Sequence, residues 1–341
     1  MQKTPSNQAL EAILRDGLPA LFYSEIKNSG LIGEYLRRNT SKKVVEVMTA
    51  IRDSVFEIFG EEDEEKIAFM TDSVRRACAV ILRNQIDLEI QSEELNTSFL
   101  TGLPNQRLGI KVIKRLISKN RAFAWTFLDL DRLKSMNLAF GEHVTDRIIR
   151  AIGERINKNI RTNEPDGYND MAVHRSGDEF WLILNRADLK RGMQASQNLL
   201  SKIQSEPFTI KLNQLDVEYL QNIIEKLSSQ KKLEEFEEIA LKLARAAIEH
   251  LNSPHHEFIN RRDNEQISLL PVSVSASMGC VPFIPVEIPE PSRADHQFDQ
   301  MSTLIKYAEE KAKMSGRGKV IGYDGQKYFQ FNDQKTIIEI D

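Results

Sequence analysis

Cysteine is almost absent: Cys78 and Cys280 are the only two among 341 residues. Two isolated thiols support neither a disulfide framework nor a zinc site, so a reducing cytoplasm is the expected compartment. Long apolar runs are missing too. The most apolar stretch, Ile267 to Ile288, is broken by Pro271, Pro282 and Pro285 and by serines. It reads as strands, and no membrane span is expected. Met1 to Ala9 is polar and lacks the apolar centre of a secretory signal. No histidine precedes His143, which argues against a His-ligated haem sensor near the N-terminus. Neither sign of charge dominates, with 46 basic and 50 acidic residues and a net charge of −4. A surface built to grip nucleic acid is disfavoured, so no DNA or RNA partner is expected.

Proline and glycine are missing between Gly60 and Gly102 apart from those ends, and the segment reads as helix. Apolar residues at Leu10, Ile13, Leu14 and Leu18, and at Val44, Val47, Met48, Ile51 and Val55, recur at helical spacing. A further stripe runs from Ile67 through Met70, Val74, Cys78 and Ile81 to Leu88. It suits a bundle wall or a short coiled coil, so residues 1–96 are expected to form an all-α sensory or dimerisation region.

Past residue 100 helices and strands alternate. The turn Thr101 to Asn105 leads to a helix over 107–119, a strand over 122–131 and a helix from about Val144 to Ile160. A hairpin follows (171–175 and 180–184), then a helix over 189–203 and a strand over 208–212. Helices over about 214–251, with a break near Ser228 and Ser229, interrupt the rhythm. A strand over 272–280, a helix over about 299–315 and a last strand over 319–323 complete the pattern. This argues for an α/β sheet layered with helices over 97–325, a helical insertion at about 214–253, and a polar tail at 326–341. The insertion's apolar stripe is narrow, so it is expected to be a surface accessory that is dispensable for chemistry and open to a protein partner.

Three polar groups stand out. Asp129 and Asp131 end the strand FAWTFLDLD, two residues apart and so on one sheet face. Paired carboxylates at a strand end can hold Mg²⁺, although solvated aspartates capping a strand give the same pattern. Asp178 and Glu179 in HRSGDEFW sit at a tight turn between apolar runs. They can face a neighbouring strand end, or be an ordinary polar turn. Lys313 and Arg317 in KMSGRGK can clamp phosphate, or simply complement a helix C-terminus.

Taken together and in order, FLTGLPNQR, FLDLDRLKSMNLAFGEHVTDRII, HRSGDEF, VSVSASMG and YAEEKAKMSGRGKV resemble the GGDEF family of diguanylate cyclases, with an SGDEF variant of its signature. The resemblance covers about Ser98 to Tyr323. It implies a polymerase-palm-like, nucleotide-cyclase-like sheet. It also implies a Mg²⁺-dependent (or Mn²⁺-dependent) nucleotidyltransferase that joins two GTP into cyclic di-GMP and releases two pyrophosphates. Each subunit would hold one GTP, so a homodimer is implied. Residue by residue, the resemblance assigns Asp129, the Leu130 carbonyl and Asp178 to the metal, and Asp178, Glu179 and Lys134 to catalysis. It assigns Asn137 and Asp146 to the guanine base, Lys313 and Arg317 to phosphate, and Ser176 and Gly177 to the turn beside the nucleotide.

Ser176 replaces the first signature glycine and would be strained at positive φ. The Arg-x-x-Asp product-inhibition motif would begin at Gly167, so Asp170 remains without its arginine and no such inhibition is expected. The alternative implied by these departures is a degenerate domain that binds GTP or cyclic di-GMP and signals without turnover.

Overall fold

The strand Phe123–Leu130 (β1) is apolar except at Thr126 and Asp129. A strand of that composition needs cover on both faces. The computed structural model describes residues 95–162, 169–254, 256–260, 266–285 and 294–341, and in it β1 is buried along almost its whole length. The expected N-terminal helices, Cys78 and Gly167 lie outside the described residues.

Antiparallel neighbours flank β1: β3 (Glu179–Asn185) on one side and β7 (Ala276–Phe283) on the other. Next to β3 is β2 (Met171–Ser176), its hairpin partner. Next to β7 come β8 (Val320–Tyr323), β9 (Tyr328–Phe331) and β10 (Ile337–Ile340). The sheet has seven strands in the order β2-β3-β1-β7-β8-β9-β10, and β7–β8 is its parallel pair.

Period-two alternation divides the side chains of β1 between two cores. Phe123, Trp125 and Phe127 pack with Ile113, Leu116 and Ile117 of α1 (Gln106–Ser118), and with Met301 and Ile305 of the C-terminal helix Ala294–Met314, α7 below. Leu128 and Leu130 meet Ile148 and Ile152 of α3 (Glu142–Lys158) and Leu200 and Ile203 of α4 (Leu189–Ser205). Each such large side chain contributes about 1.5–3 kcal/mol by leaving water. The one hydroxyl in the middle of β1, on Thr126, is satisfied by the Ser196 hydroxyl of α4 at 2.8 Å.

On the other face the backbones of β7 and α7 come into close approach at Gly279. A Cβ at Gly279 would lie 2.5 Å from both the Glu309 nitrogen and the Ile305 oxygen. Only glycine permits so close a backbone approach.

Four features differ from the sequence expectation. A separate short helix, α2 (Leu133–Phe140), precedes α3, and the two are joined by the single residue Gly141. It follows Arg132, whose φ of 68° is left-handed, and has no side-chain cap to announce it. Second, the strand expected over 208–212 is β4 (Phe208–Leu212), and it lies outside the main sheet. It pairs with β6 (Gln266–Val272), which also pairs with β5 (Glu257–Asn260), forming a separate three-stranded sheet. The run expected as one strand over 272–280 is therefore the end of β6 and most of β7, parted at 273–275.

Third, residues 326–341 are not a tail. β9 and β10 form an antiparallel hairpin that extends the sheet, with Tyr328 stacked on Tyr323 at 4.5 Å. Fourth, the inserted helices α5 (Gln214–Ser228) and α6 (Glu235–Leu251) are no surface accessory. Leu220, Ile223, Leu227, Ala240, Ala244 and Ala247 join the same buried cluster as Met136 of α2 and Ile148 of α3. Three alanines on α6 let the helix approach closely, so a stripe that reads as narrow in sequence buries a full face. α5 opens with a capping box between Asn213 and Asp216. The Asp216 carboxylate also accepts from Arg147 of α3 at 3.0 Å, which ties the insertion to the helix beside the candidate site.

Candidate functional site

β1 delivers Asp129 to the C-terminal end of the sheet, in register with Glu179 on β3 and Ser277 on β7. The β2–β3 turn is held against this end by the Leu130 amide, which donates to the Asp178 carbonyl at 3.2 Å. From α7, Lys313 reaches Asp129 at 2.9 Å and Glu309, one turn earlier, at 2.8 Å. A single ammonium thus serves two carboxylates, with a third, Asp178, close by.

The electrostatics follow from that shortage of positive charge. Burial pushes the Asp129 carboxyl up to about 7; the Lys313 ammonium opposes this, and the nearby charges of Asp178 and Glu309 add to it. Asp178 is raised by burial and by the charge on Glu179. Glu309 is raised by burial. Burial pulls Lys313 down, but its bonds to Glu309 and Asp129 outweigh that and hold it above the usual lysine value. Two half-buried carboxylates that resist ionising beside a backbone carbonyl are a fitting set for a hard divalent cation. Asp129, Asp178 and the Leu130 carbonyl could hold Mg²⁺ or Mn²⁺. Among the described residues, no three His, Cys, Asp or Glu side chains converge on one point. An ion here would leave positions for water and phosphate oxygens, as Mg²⁺ prefers.

Asp131 does not join this set. Its carboxylate accepts from the Ser277 hydroxyl at 2.7 Å and the Gly318 amide at 3.2 Å, so it staples β1 to β7 and to the turn after α7. The shared face expected from alternation is used for structure. Glu179 is turned to the neighbouring strand β2: it pairs with Arg175 and accepts from the Ser176 hydroxyl at 3.0 Å. The expected strain at Ser176 is absent, because the left-handed position is Gly177, with φ of 52°. Ser176 lies at the end of β2, exposed, and its hydroxyl has found a partner. His174, which the sequence did not single out, anchors the turn from below through the Gly177 carbonyl at 3.0 Å. Glu309 also went unnoticed, although its place four residues before Lys313 was a signal for a helical ion pair.

The remaining expected residues sit around α2 and the insertion. Lys134 projects from α2 onto the Phe236 ring of α6, its ammonium 3.4 Å from the ring centroid. Asn137 is on α2, half-buried, and Asp146 on α3, exposed. The junction between these helices is covered by Tyr219 of α5, whose hydroxyl donates to the Leu138 carbonyl at 3.3 Å. Arg317 is exposed just beyond α7, with φ of 61°. It lines a cleft of about 310 Å³ together with Arg132, Met136, Ile239, Leu243 and Ser275. Asp170 is buried and taken up by structure: Arg161 binds both of its oxygens at 2.8 Å, and the Asn185 amide adds a third bond.

Residues 96–223 match the family model described as "Diguanylate cyclase, GGDEF domain". Among curated proteins, the chain is 30% identical over 122 residues to the bifunctional diguanylate cyclase/cyclic di-GMP phosphodiesterase MucR of Pseudomonas aeruginosa, covering 35% of this chain and 17% of that one. It is 24% identical to the diguanylate cyclase DosC of Escherichia coli K12, covering 37% and 27%. It is 25% identical to the response regulator PleD of Caulobacter vibrioides, covering 41% and 30%. The chain thus spans less than a third of the length of each of these relatives. Among solved structures, the coiled coil and GGDEF domain of DgcB from Caulobacter crescentus, in complex with c-di-GMP, aligns at 16% identity with a TM-score of 0.46. That alignment covers 75% of this chain and 98% of that one. Among the described residues, no helix is long and apolar enough to cross a membrane.

Proposed function

Starting from a chain whose residues 96–223 match the GGDEF family model, we propose that it is a diguanylate cyclase, condensing two GTP into cyclic di-GMP with release of two pyrophosphates. The observation that carries this reading is the cluster at the end of β1. Asp129 and Asp178, both raised above ordinary carboxylates by burial, share their surroundings with Lys313. When bound, a Mg²⁺ ion supplies Lewis acidity toward the α-phosphate and the attacking ribose hydroxyl. Asp129, Asp178 and the Leu130 carbonyl would hold it.

The chain's own residues do the positioning. Lys313 exchanges its bond to Asp129 for phosphate oxygens, and Glu309 keeps the ammonium on the α7 side while this happens. Arg317 adds a planar fork of donors. Asn137 and Asp146 offer an amide and a carboxylate to the guanine edge. Glu179, oriented by Arg175 and Ser176, presents a carboxylate beside the turn. Holding reactants in line supplies most of the remaining acceleration. One site holds one GTP, so two copies must face each other, and the residues before about 96 are the region we assign to holding that dimer.

A second reading has an observation in its favour. Lys134 rests on Phe236 instead of standing open to a triphosphate. A domain that binds nucleotide without turning it over is consistent with that contact. Incubating the full chain with GTP and Mg²⁺ and identifying the product by mass separates the two. Cyclic di-GMP is the expected product. GTP bound but unconverted selects the binding module, and no nucleotide binding overturns both.

A further inference from the structure

We infer that Arg132 is a phosphate-binding residue of this chain, and that the inserted helix α6 transfers to it the part that Lys134 would otherwise play. The inference rests on the nucleotide reading above and deepens it. Three observations carry it. Lys134 is held away: its ammonium sits 3.4 Å from the centroid of Phe236, a residue of the insertion. A cation over a ring face is stabilised there, so Lys134 must break that contact to bind anything else. Arg132, two residues earlier, is exposed, and it makes no ion pair among the described residues. Finally, Arg132 and Arg317 line one cleft of about 310 Å³, at the turn that follows α7.

Both arginines hold left-handed backbone, with φ of 68° and 61°. A bulky side chain is uncommon there, and such positions persist where surrounding structure enforces them for use. Two guanidiniums in one cleft form a fork on each side of a polyphosphate. Met136, Ile239, Leu243 and Val274 give the cleft an apolar lining, which strengthens charge pairing inside it, and the carboxylate that also lines it, Asp131, is taken up by Ser277 and Gly318. The wall made by Ile239 and Leu243 belongs to α6, so the insertion both withdraws Lys134 and builds the cleft that Arg132 enters. A neighbouring cleft carries Arg132 beside Glu235, Glu238 and Lys242. Its carboxylates disfavour phosphate on that side and leave the Arg317 side as the place for it. The ligand chemistry is a guanosine triphosphate tail, recognised through the phosphates beyond the first.

The test is binding of 3′-deoxy-GTP, which lacks the hydroxyl needed for condensation, and of GMP, each with Mg²⁺, by calorimetry on the full chain. Arg132→Asn is the variant, because asparagine tolerates left-handed backbone. It should weaken 3′-deoxy-GTP by roughly tenfold to a hundredfold and change GMP by less than about twofold, as expected for loss of charge-assisted hydrogen bonds to the outer phosphates. Arg132→Lys should recover part of the loss. Lys134→Gln should change either ligand by less than about twofold. If Arg132→Asn leaves the triphosphate affinity unchanged, or if Lys134→Gln causes the larger loss, the inference is overturned while the cyclase reading stands. If the unaltered chain binds neither nucleotide, both fall.

Discussion

The Ser98 hydroxyl lies 2.6 Å from His174 Nδ1, and the opposite ring nitrogen, Nε2, is 3.0 Å from the Gly177 carbonyl. A carbonyl only accepts, so Nε2 donates to it, and in the neutral ring Nδ1 accepts from Ser98. One buried imidazole thus connects the segment entering the domain to the turn that carries Asp178. Replacing Ser98 by Ala leaves Nδ1 without its partner in a buried setting. The expected cost is about 1–2 kcal/mol of stability, read as a lower denaturation midpoint at unchanged slope. An unchanged midpoint would mean that water serves His174 equally well.

Asp178→Ala should abolish cyclic di-GMP synthesis and leave the fold intact. Removing one of two carboxylates from the proposed metal set takes away Lewis acid and template together, a loss on the order of a thousandfold or more in turnover. Far-UV circular dichroism should match that of the unaltered chain, since Asp178 is at a turn and its carbonyl, which binds Leu130, is kept. Equal turnover in the two proteins would remove Asp178 from the site.

Asp129 makes stability depend on pH. Its folded value of about 7 stands above the ordinary 3.8. Between those values the folded chain binds a proton that the unfolded chain has lost. Its contribution is therefore complete below about pH 4 and is lost as pH rises through about 7. Asp129→Asn should flatten this slope in metal-free protein. Mg²⁺ prefers the ionised carboxylate, so the gain in melting temperature on adding it should be larger near pH 8 than near pH 5.5. A gain independent of pH would place the ion elsewhere.

Replacing residues 214–253 with a short Gly/Ser linker should unfold the domain or lower its melting temperature by roughly 10 °C or more. The segment carries six members of the main core cluster, and its loss would expose Met136 and its neighbours. Several uncovered apolar side chains cost several kcal/mol, at about 2–4 °C for each. This reverses the expectation drawn from sequence. A deletion that melts where the full chain does would restore the insertion to the status of an accessory.

The parts of the fold legible in sequence were those with strong local patterns. β1 and the β2–β3 hairpin were readable because an apolar run broken by Gly177 and Asp178 allows little else. α7 was readable to its end because Gly316 follows it, and Asp129, Asp178 and Lys313 were placed together by the order of their motifs. α2 was not readable: eight residues make little more than two turns, and its start is a left-handed Arg132 with no cap. The partner of β4 was not readable either, since its alternating burial fits any sheet with one covered face. The role of Asp131 depended on Ser277 and Gly318, which are far away in sequence. The hold of Phe236 on Lys134 spans about a hundred residues, and no periodicity reports such a contact.

Gly279 has a consequence for the cations at the far end of the sheet. Because the backbone of β7 touches the backbone of α7 there, the separation between strand and helix is set by hard contact and not by the give of packed side chains. α7 is then a lever resting on a fixed stop, with Glu309 beside the fulcrum and Lys313 one turn beyond it. The reach from Lys313 to Asp129 is gauged by an atom that is not there. A single methyl group at position 279 would lift the lever, and the ammonium would swing off its carboxylate without any polar residue having been altered.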